Sequence, residues 1–466
     1  NYQKYLLTLG DPDQRTTGND VTIQRYRTES ALLLGYVEFL KTHRPNIVTG
    51  YNILGFDIQY MIERAKFNMI IDQFKGMGFP KYMSSEEIQI KWSSSAYKNQ
   101  EFNYLDAEGI LHVDLLPLVR RDYKFDNYKL KTVSEHFIGQ TKDPLDAAGI
   151  FRCYRIGMEG GPKGAKALGV VGKYCVQDSV LVSNLFDKLK SWVALCEMAK
   201  VCNVPIFYLY TKGQQIKVYS QVYKKCMYEN RIVEKDGYQA ASDECYTGAY
   251  VFPPVPGIYD KVVPFDFSSL YPTTIIAYNI CFSTLVRDTD NIPDEMCNIV
   301  EWEDHIGCKH DTTERATKPT KVICAKRKYK FLKSPMGVLP TLLLNLLDSR
   351  SQTKKEMKAC KKKHYEMTEK EKASPEGVSL AVYIEVLNKR QLAMKVSANS
   401  MYGAMGVKRG YLPFLPGAMC TTAWGRMNIM RAAERLQKVH KGHLVYGDTD
   451  SNYIHFEGIS NAQELW

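Results

Sequence analysis

The stretch HLVYGDTDSNYIHF, His443 to Phe456, sets two carboxylates, Asp448 and Asp450, between two runs that read as strands. Leu444 to Tyr446 suit the first strand, Tyr453 to Phe456 the second, and Gly447-Asp448 reads as the turn between them. Like charges this close repel unless something positive lies between them, and a divalent cation is the usual remedy. Asp266, closing the apolar run of KVVPFDFSSLYP, is the best third carboxylate. A strand end beside a hairpin tip would let all three converge. Mg²⁺ suits such a set, because it takes one or two carboxylates and completes its shell with waters and substrate phosphates. Singly, each aspartate has a plainer reading: Asp448 as a turn residue and Asp266 as a helix cap. An EF-hand is discarded, since Tyr453 stands where that loop needs glycine and the flanks are strands.

Positive groups fall at helical spacing nearby. Arg350 and Lys354 are four apart, and Lys395, Asn399 and Tyr402 follow at i, i+4 and i+7. If the two faces meet, Arg350, Lys354 and Lys395 can clasp a triphosphate and neutralise charge developing on phosphorus. Lys361, Lys362 and Lys363 are read as solvated surface.

These residues require elements to carry them. The first ~190 residues alternate strand-like and helix-like stretches, as in an α/β domain: PNIVTGYNI as strand and turn, FDIQYMIERAKF as helix, GILHVDLLPLV as strand, VGKYCVQDSVLVSNLFDKL as helix. GMGFP and GMEGGPKGAKALG read as breaks. A mostly helical connector follows to about residue 245, then strand, turn and helix through Asp266. Residues 297–324 read as a polar, Cys/His-bearing insertion. Two long helical arms separated by ASPEG make a helical hairpin, and the end returns to strands around one helix. The fold class is thus α/β and α+β, in several domains.

The chain has 466 residues, too many for one core. Its 62 Lys and Arg against 51 Asp and Glu give a net +11, which suits a polyanionic partner. The 12 cysteines include no CxxC pair, and a chain this long is no disulfide scaffold, so reduced thiols in a cell interior are expected. The longest apolar run, VLPTLLLNLL, is too short to span a bilayer, and no secretory signal opens the chain.

DFSSLYP, KVSANSMYG and YGDTDS, in that order, resemble the three polymerase motifs of family B DNA polymerases. YTGAYV and GQQIKV resemble the family's delta-type replicative branch. WEDHIGCKHD and FLKSPMGVLPTLLLNLLDSR resemble the versions in large DNA viruses of algae and protists. The resemblance implies template-directed addition of deoxynucleotides to a primer 3′-hydroxyl, by a palm with an antiparallel sheet and helical-hairpin fingers. Asp266, Asp448 and Asp450 would be catalytic, with two Mg²⁺ ions on Asp266, Asp450 and the Phe267 backbone. Phe267, Ser268, Ser269 and Leu270 would touch metal or phosphate. Tyr271 would be the steric gate under the sugar, its plainer reading a core tyrosine. Asn399, Tyr402 and Gly403 would pack on the nascent pair beside Arg350, Lys354 and Lys395. Tyr246, Gly248, Lys408 and Arg409 would contact DNA.

The first domain resembles the family's ribonuclease-H-like 3′–5′ proofreading exonuclease. GYNILGFD matches its second motif, giving Asn52 and Asp57; YCVQD matches its third, giving Tyr174 and Asp178. The first motif, Asp-x-Glu after a strand, is not seen, and the thumb that follows the palm is not seen either. The chain is therefore read as an excerpt, with an exonuclease site short of carboxylates and a weak grip on DNA. The expected divisions are 1–190 exonuclease, 191–245 connector, 246–337 first palm part, 338–408 fingers and 409–466 second palm part. Primer-template DNA, a dNTP and a sliding clamp or similar processivity factor are the expected partners, at intracellular replication sites and with no membrane. Zinc at Cys297, Cys308, His310 and Cys324 is disfavoured, because Cys308-x-His310 is cramped and the spacings match no zinc finger. Two rivals remain: a catalytically inactive polymerase-fold scaffold that binds nucleic acid, and an RNA-synthesising polymerase, against which the bulky Tyr271 argues.

Overall fold

The computed structural model describes residues 2–80, 82–94, 98–233, 246–311, 322–408 and 410–458. It divides into two compact units: Asn1–Leu195 with Pro205–Gly213, and Cys196–Val204 with Gln214–Trp466.

In the first unit, β1 (Lys4–Leu9) pairs in parallel with β2 (Val21–Tyr26), and β3 (Ile47–Gly50) in parallel with β6 (Leu111–Asp114). Between them, β4 (Glu86–Ser94) and β5 (Lys98–Asp106) form an antiparallel hairpin. Parallel pairs need crossovers, and each here carries a helix, Gln14–Thr17 between β1 and β2 and Ile58–Phe67 between β3 and β6, while Glu29–His43 links the two pairs. Leu54, Phe74, Leu105, Val113, Leu115 and Val133 lie fully buried at the centre of this unit.

Two sequence expectations need correction. GILHVDLLPLV is not one strand: it breaks at Asp114, whose carboxylate accepts the amide of Leu116 and starts the helix Leu115–Asp122. GMEGGPKGAKALG is not a loop either. The helix Ala147–Met158 runs into it, and the helix Gly161–Lys188 starts two residues after Glu159. Its glycines serve packing. A Cβ on Gly164 would sit 2.9 Å from the Ile156 carbonyl, and one on Gly169 would sit 2.8 Å from the Thr16 side chain.

In the second unit a four-stranded antiparallel sheet has the order β7 (Val251–Phe252), β12 (His443–Asp448), β13 (Ser451–His455), β8 (Val262–Asp266). A second sheet orders β10 (Cys297–Ile306), β11 (Ile323–Leu332) and β9 (Leu285–Val286). The described part of the insertion read at 297–324 is therefore largely hairpin: Cys297 pairs with Leu332 and His305 with Cys324, with Val300 and Phe331 buried in the core. The helical arms are Val338–Glu366 and Pro375–Met405. ASPEG separates them because it is a helix start: the Ser374 hydroxyl accepts the Gly377 amide and Pro375 takes the first helical position. The helix Leu415–Lys438 is buried along its first turns, and its Trp424 stacks on Tyr278 at 3.9 Å. Among the described residues no helix is long and apolar enough to cross a membrane.

Candidate active site

The three aspartates of the second unit meet at one sheet end. In the ladder, Ser451 of β13 faces both Asp448 of β12 and Asp266 of β8. Thr449 and Asp450 form the tip, with Thr449 at φ 54°. The turn is thus one step later than Gly447-Asp448. Gly447 lies within the strand, where a Cβ would come 2.7 Å from the Phe252 ring and 3.0 Å from the Ser451 carbonyl. Close approach, not turn geometry, requires glycine there.

The tip is held from both sides. The Phe267 amide donates to the Asp450 carbonyl at 2.8 Å, and the Thr449 amide to the Tyr250 carbonyl at 3.1 Å. The Thr449 hydroxyl donates to Asp448 Oδ1 at 2.7 Å. Asp266 is not a helix cap: the helix Leu270–Ala277 begins after Ser269, which takes the left-handed conformation. Ser268 is exposed and Leu270 buried.

Burial raises the pKa of Asp450, and the charge of Asp266, then that of Asp448, raises it further, while Lys395 lowers it. That coupling is the signature of carboxylates gathered without enough compensating charge. Such a group fits a divalent cation held by Asp266 and Asp450.

Tyr271 lies within electrostatic reach of Asp450 and Asp448 and leads to two further tyrosines. Tyr271 packs its ring 4.5 Å from that of Tyr402, and the Tyr402 hydroxyl lies 3.3 Å from that of Tyr246. Gly425 makes room for Tyr271, since a Cβ there would meet its ring at 3.0 Å. Burial pushes the Tyr271 hydroxyl up to about 12, with Asp450 adding to the effect against Arg426. Arg426 donates to the carbonyls of Thr247 and Gly248, both at 2.8 Å. Nothing in the sequence singled it out, because it follows an apolar helical run. Lys395 reaches Asp450 electrostatically, whereas Arg350 donates to Gln391 of the facing arm at 3.4 Å and Lys354 stands exposed one turn on. Asn399 is exposed on the Lys395 face. A Cβ at Gly403 or at Gly248 would meet nothing within 4 Å. Lys408 is half-buried, and Arg409 lies outside the described residues.

The first unit gathers a second acidic group. Asn52 takes the left-handed conformation and opens a single π-turn, Ile53–Asp57. Asp114, 1 % exposed, anchors this turn by accepting the amides of Asn52 at 2.8 Å and Leu54 at 3.1 Å. Burial lifts Asp114 to about 6, against those amides and with a further push from Asp57. Asp57 is itself raised by burial and lowered by Lys142. The Lys142 ammonium pairs with Asp178 and donates to the Tyr174 hydroxyl at 3.3 Å. Tyr174 and Asp178 share a face of the helix Gly161–Lys188, as their spacing requires. Lys142 and Asp114 were not anticipated. Asp114 carried a signal, an aspartate between a strand and a helix; Lys142 carried none.

Comparison with known proteins bears on both units. Residues 204–465 match the model of DNA polymerase family B, and residues 1–133 that family's exonuclease domain. DNA polymerase 120R of Invertebrate iridescent virus 3 is 50% identical over 100% of this chain and 43% of its own length. Putative DNA polymerase 060R of Frog virus 3 is 40% identical over 95% of this chain and 48% of its own. The DNA polymerase delta catalytic subunit of Candida albicans is 33% identical over 93% of this chain and 38% of its own. The chain thus spans less than half the length of these three relatives. With a family match covering more than half of its residues and the motif aspartates brought to one sheet end, the chain belongs to DNA polymerase family B.

Proposed function

We propose that the second unit catalyses template-directed addition of deoxynucleotides to a primer 3′-hydroxyl. The observation that carries the reading is the meeting of Asp266 and the Asp448–Asp450 tip across β13, with Asp266 raising the pKa of Asp450. Asp266 and Asp450 would hold two Mg²⁺ ions, with the Phe267 backbone beside them. Bound there, the ions would favour the ionised 3′-hydroxyl and the leaving pyrophosphate. Asp448, held by Thr449, would shape the primer side. Lys395 would meet the triphosphate near Asp450, with Arg350 and Lys354 further along the arms. The amides of the 267–270 turn would approach phosphate.

Tyr271 would exclude a 2′-hydroxyl, its ring fixed between Tyr402 and Gly425. Asn399, Tyr402 and Gly403 would read the shape of the nascent pair. Tyr246, Gly248, Lys408 and Arg409 would lie along the duplex, where contacts to phosphate are sequence-blind. Gly403 and Gly248 support this, because nothing among the described residues requires glycine at either position. On this reading the four-stranded sheet is the palm and the two long helices are the fingers. The first unit is a 3′–5′ exonuclease to which Asn52, Asp57, Tyr174 and Asp178 contribute. A sliding clamp and intracellular replication sites belong to the same reading.

The test is single-nucleotide addition to an annealed primer by the full-length protein with Mg²⁺. Wild type should extend the primer. Asp450→Asn should bind it equally and extend it at least about a hundred-fold more slowly, the scale of losing a group that stabilises transition-state charge. Binding without extension by wild type would instead establish the scaffold reading.

A further inference from the structure

The end of the β10–β11 hairpin carries a cluster that the polymerase reading does not use. His305, Cys308, His310 and Cys324 place one ligand atom each so that all four lie within 4.8 Å of one another. Cys308 Sγ is 3.4 Å from His305 Nδ1; Cys324 Sγ is 3.6 Å from His305 Nδ1 and 3.7 Å from His310 Nδ1. Zn–S bonds of about 2.3 Å and Zn–N bonds of about 2.0–2.1 Å on a tetrahedron put sulfur and nitrogen about 3.6 Å apart. The observed separations bracket that value.

Local structure delivers the four groups. His305 and Cys324 are direct partners in the ladder, whose register is reinforced by Glu301–Lys328 at 2.8 Å and Glu303–Lys326 at 3.1 Å. Gly307, at φ 61°, then turns the chain back, and its amide donates to Asp311 Oδ2 at 2.7 Å. The Asp311 amide donates to the Cys308 carbonyl at 3.1 Å. This tight loop swings Cys308 and His310 over the strand ends, which is why the cramped Cys-x-His spacing is no obstacle. Cys297, which the sequence placed in the set, is at the far end of β10, buried opposite Leu332. His305, unselected in the sequence, takes its place. The other ring nitrogen of His305 lies 3.4 Å from Glu303 Oε2, the carboxylate–imidazole arrangement that orients metal-binding histidines.

We infer that His305, Cys308, His310 and Cys324 form a structural zinc site that clamps the β10–β11 hairpin. Two thiolates and two imidazoles select zinc over Mg²⁺ or Ca²⁺, which prefer oxygen ligands. Four protein ligands leave no open position, so the site is structural. It pins together both ends of the segment between His310 and Cys324. The inference stands on these four side chains alone and does not depend on the polymerase reading.

The experiment is metal analysis of the full-length protein, purified without an affinity metal or chelator. Zinc content is expected to fall by about one equivalent from wild type in Cys324→Ser and in His310→Ala, and to stay unchanged in Cys175→Ser. Co²⁺ exchanged into wild type should give the intense thiolate-to-cobalt absorption and the visible bands of a tetrahedral site, which does not depend on any variant folding. Wild type lacking both zinc and a cobalt–thiolate band would overturn the inference. So would zinc retained undiminished by Cys324→Ser, or a Cys308–Cys324 disulfide found by mass spectrometry of the native protein.

Discussion

Asp114 shows how one buried carboxylate can organise a site whose motif residues lie elsewhere. Its two oxygens take three backbone amides, from Asn52, Leu54 and Leu116. Asp114→Asn must turn one donor toward an amide, and leaving such a group unpaired costs about 1–3 kcal/mol. Chemical denaturation should show that loss at pH 7. The pH dependence has a definite sign. The folded pKa of about 6 lies above the unfolded value of about 3.9, so the folded chain binds the proton more tightly. Stability from this group therefore grows as pH falls through 6 and is lost as pH rises through it. Between pH 7 and 5, wild type should gain about 1 kcal/mol relative to Asp114→Asn. Tyr271 gives a second prediction at this scale. Tyr271→Ala should admit ribonucleotides, raising rNTP relative to dNTP incorporation by at least about tenfold, the worth of ~1.4 kcal/mol of removed clash. An unchanged ratio would return Tyr271 to a packing role beside Tyr402.

At the scale of elements, two glycines separate fold from function. Gly447 sits where its strand passes Phe252, so Gly447→Ala overpacks the sheet at an expected cost of about 1–3 kcal/mol and shifts the Asp448–Asp450 tip. Melting temperature and nucleotide addition should fall together. Gly403 sits in the arm Pro375–Met405 with open space where a Cβ would be. Alanine there should stabilise the helix by about 0.5–1 kcal/mol. If a base pair packs against that backbone, Gly403→Ala should nonetheless slow addition. Higher stability with full activity would remove Gly403 from the site. The helical arms, the hairpin tip and the strand ending at Asp266 were legible in the sequence, because period and turn chemistry are local. The break at Asp114 and the helical course of GPKGAKALG were not. Whether a glycine ends a helix or lets it press against a neighbour depends on what lies opposite, here Thr16 and the Ile156 carbonyl.

For the whole molecule, the two proposed metal roles should separate by affinity. Brief chelation should stop nucleotide addition, and Mg²⁺ alone should restore it, because an open carboxylate site exchanges freely. The closed four-ligand site should keep its zinc through that treatment, as metal analysis before and after would show. The net charge of +11 adds a salt dependence: affinity for primer-template should fall at least about tenfold between 50 and 200 mM salt. The sequence by itself determined the chemistry available: which carboxylates, cations and tyrosines exist, and which share a helix face or a strand end. That information is local, carried by residue type and spacing. Only tertiary structure decided which distant groups meet. It set Asp266 opposite Ser451, Lys142 between Tyr174 and Asp178, Arg426 under Thr247 and Gly248, and His305 in place of Cys297. Strand register and helix packing make those choices, and both are settled by burying apolar surface far from the polar groups they bring together.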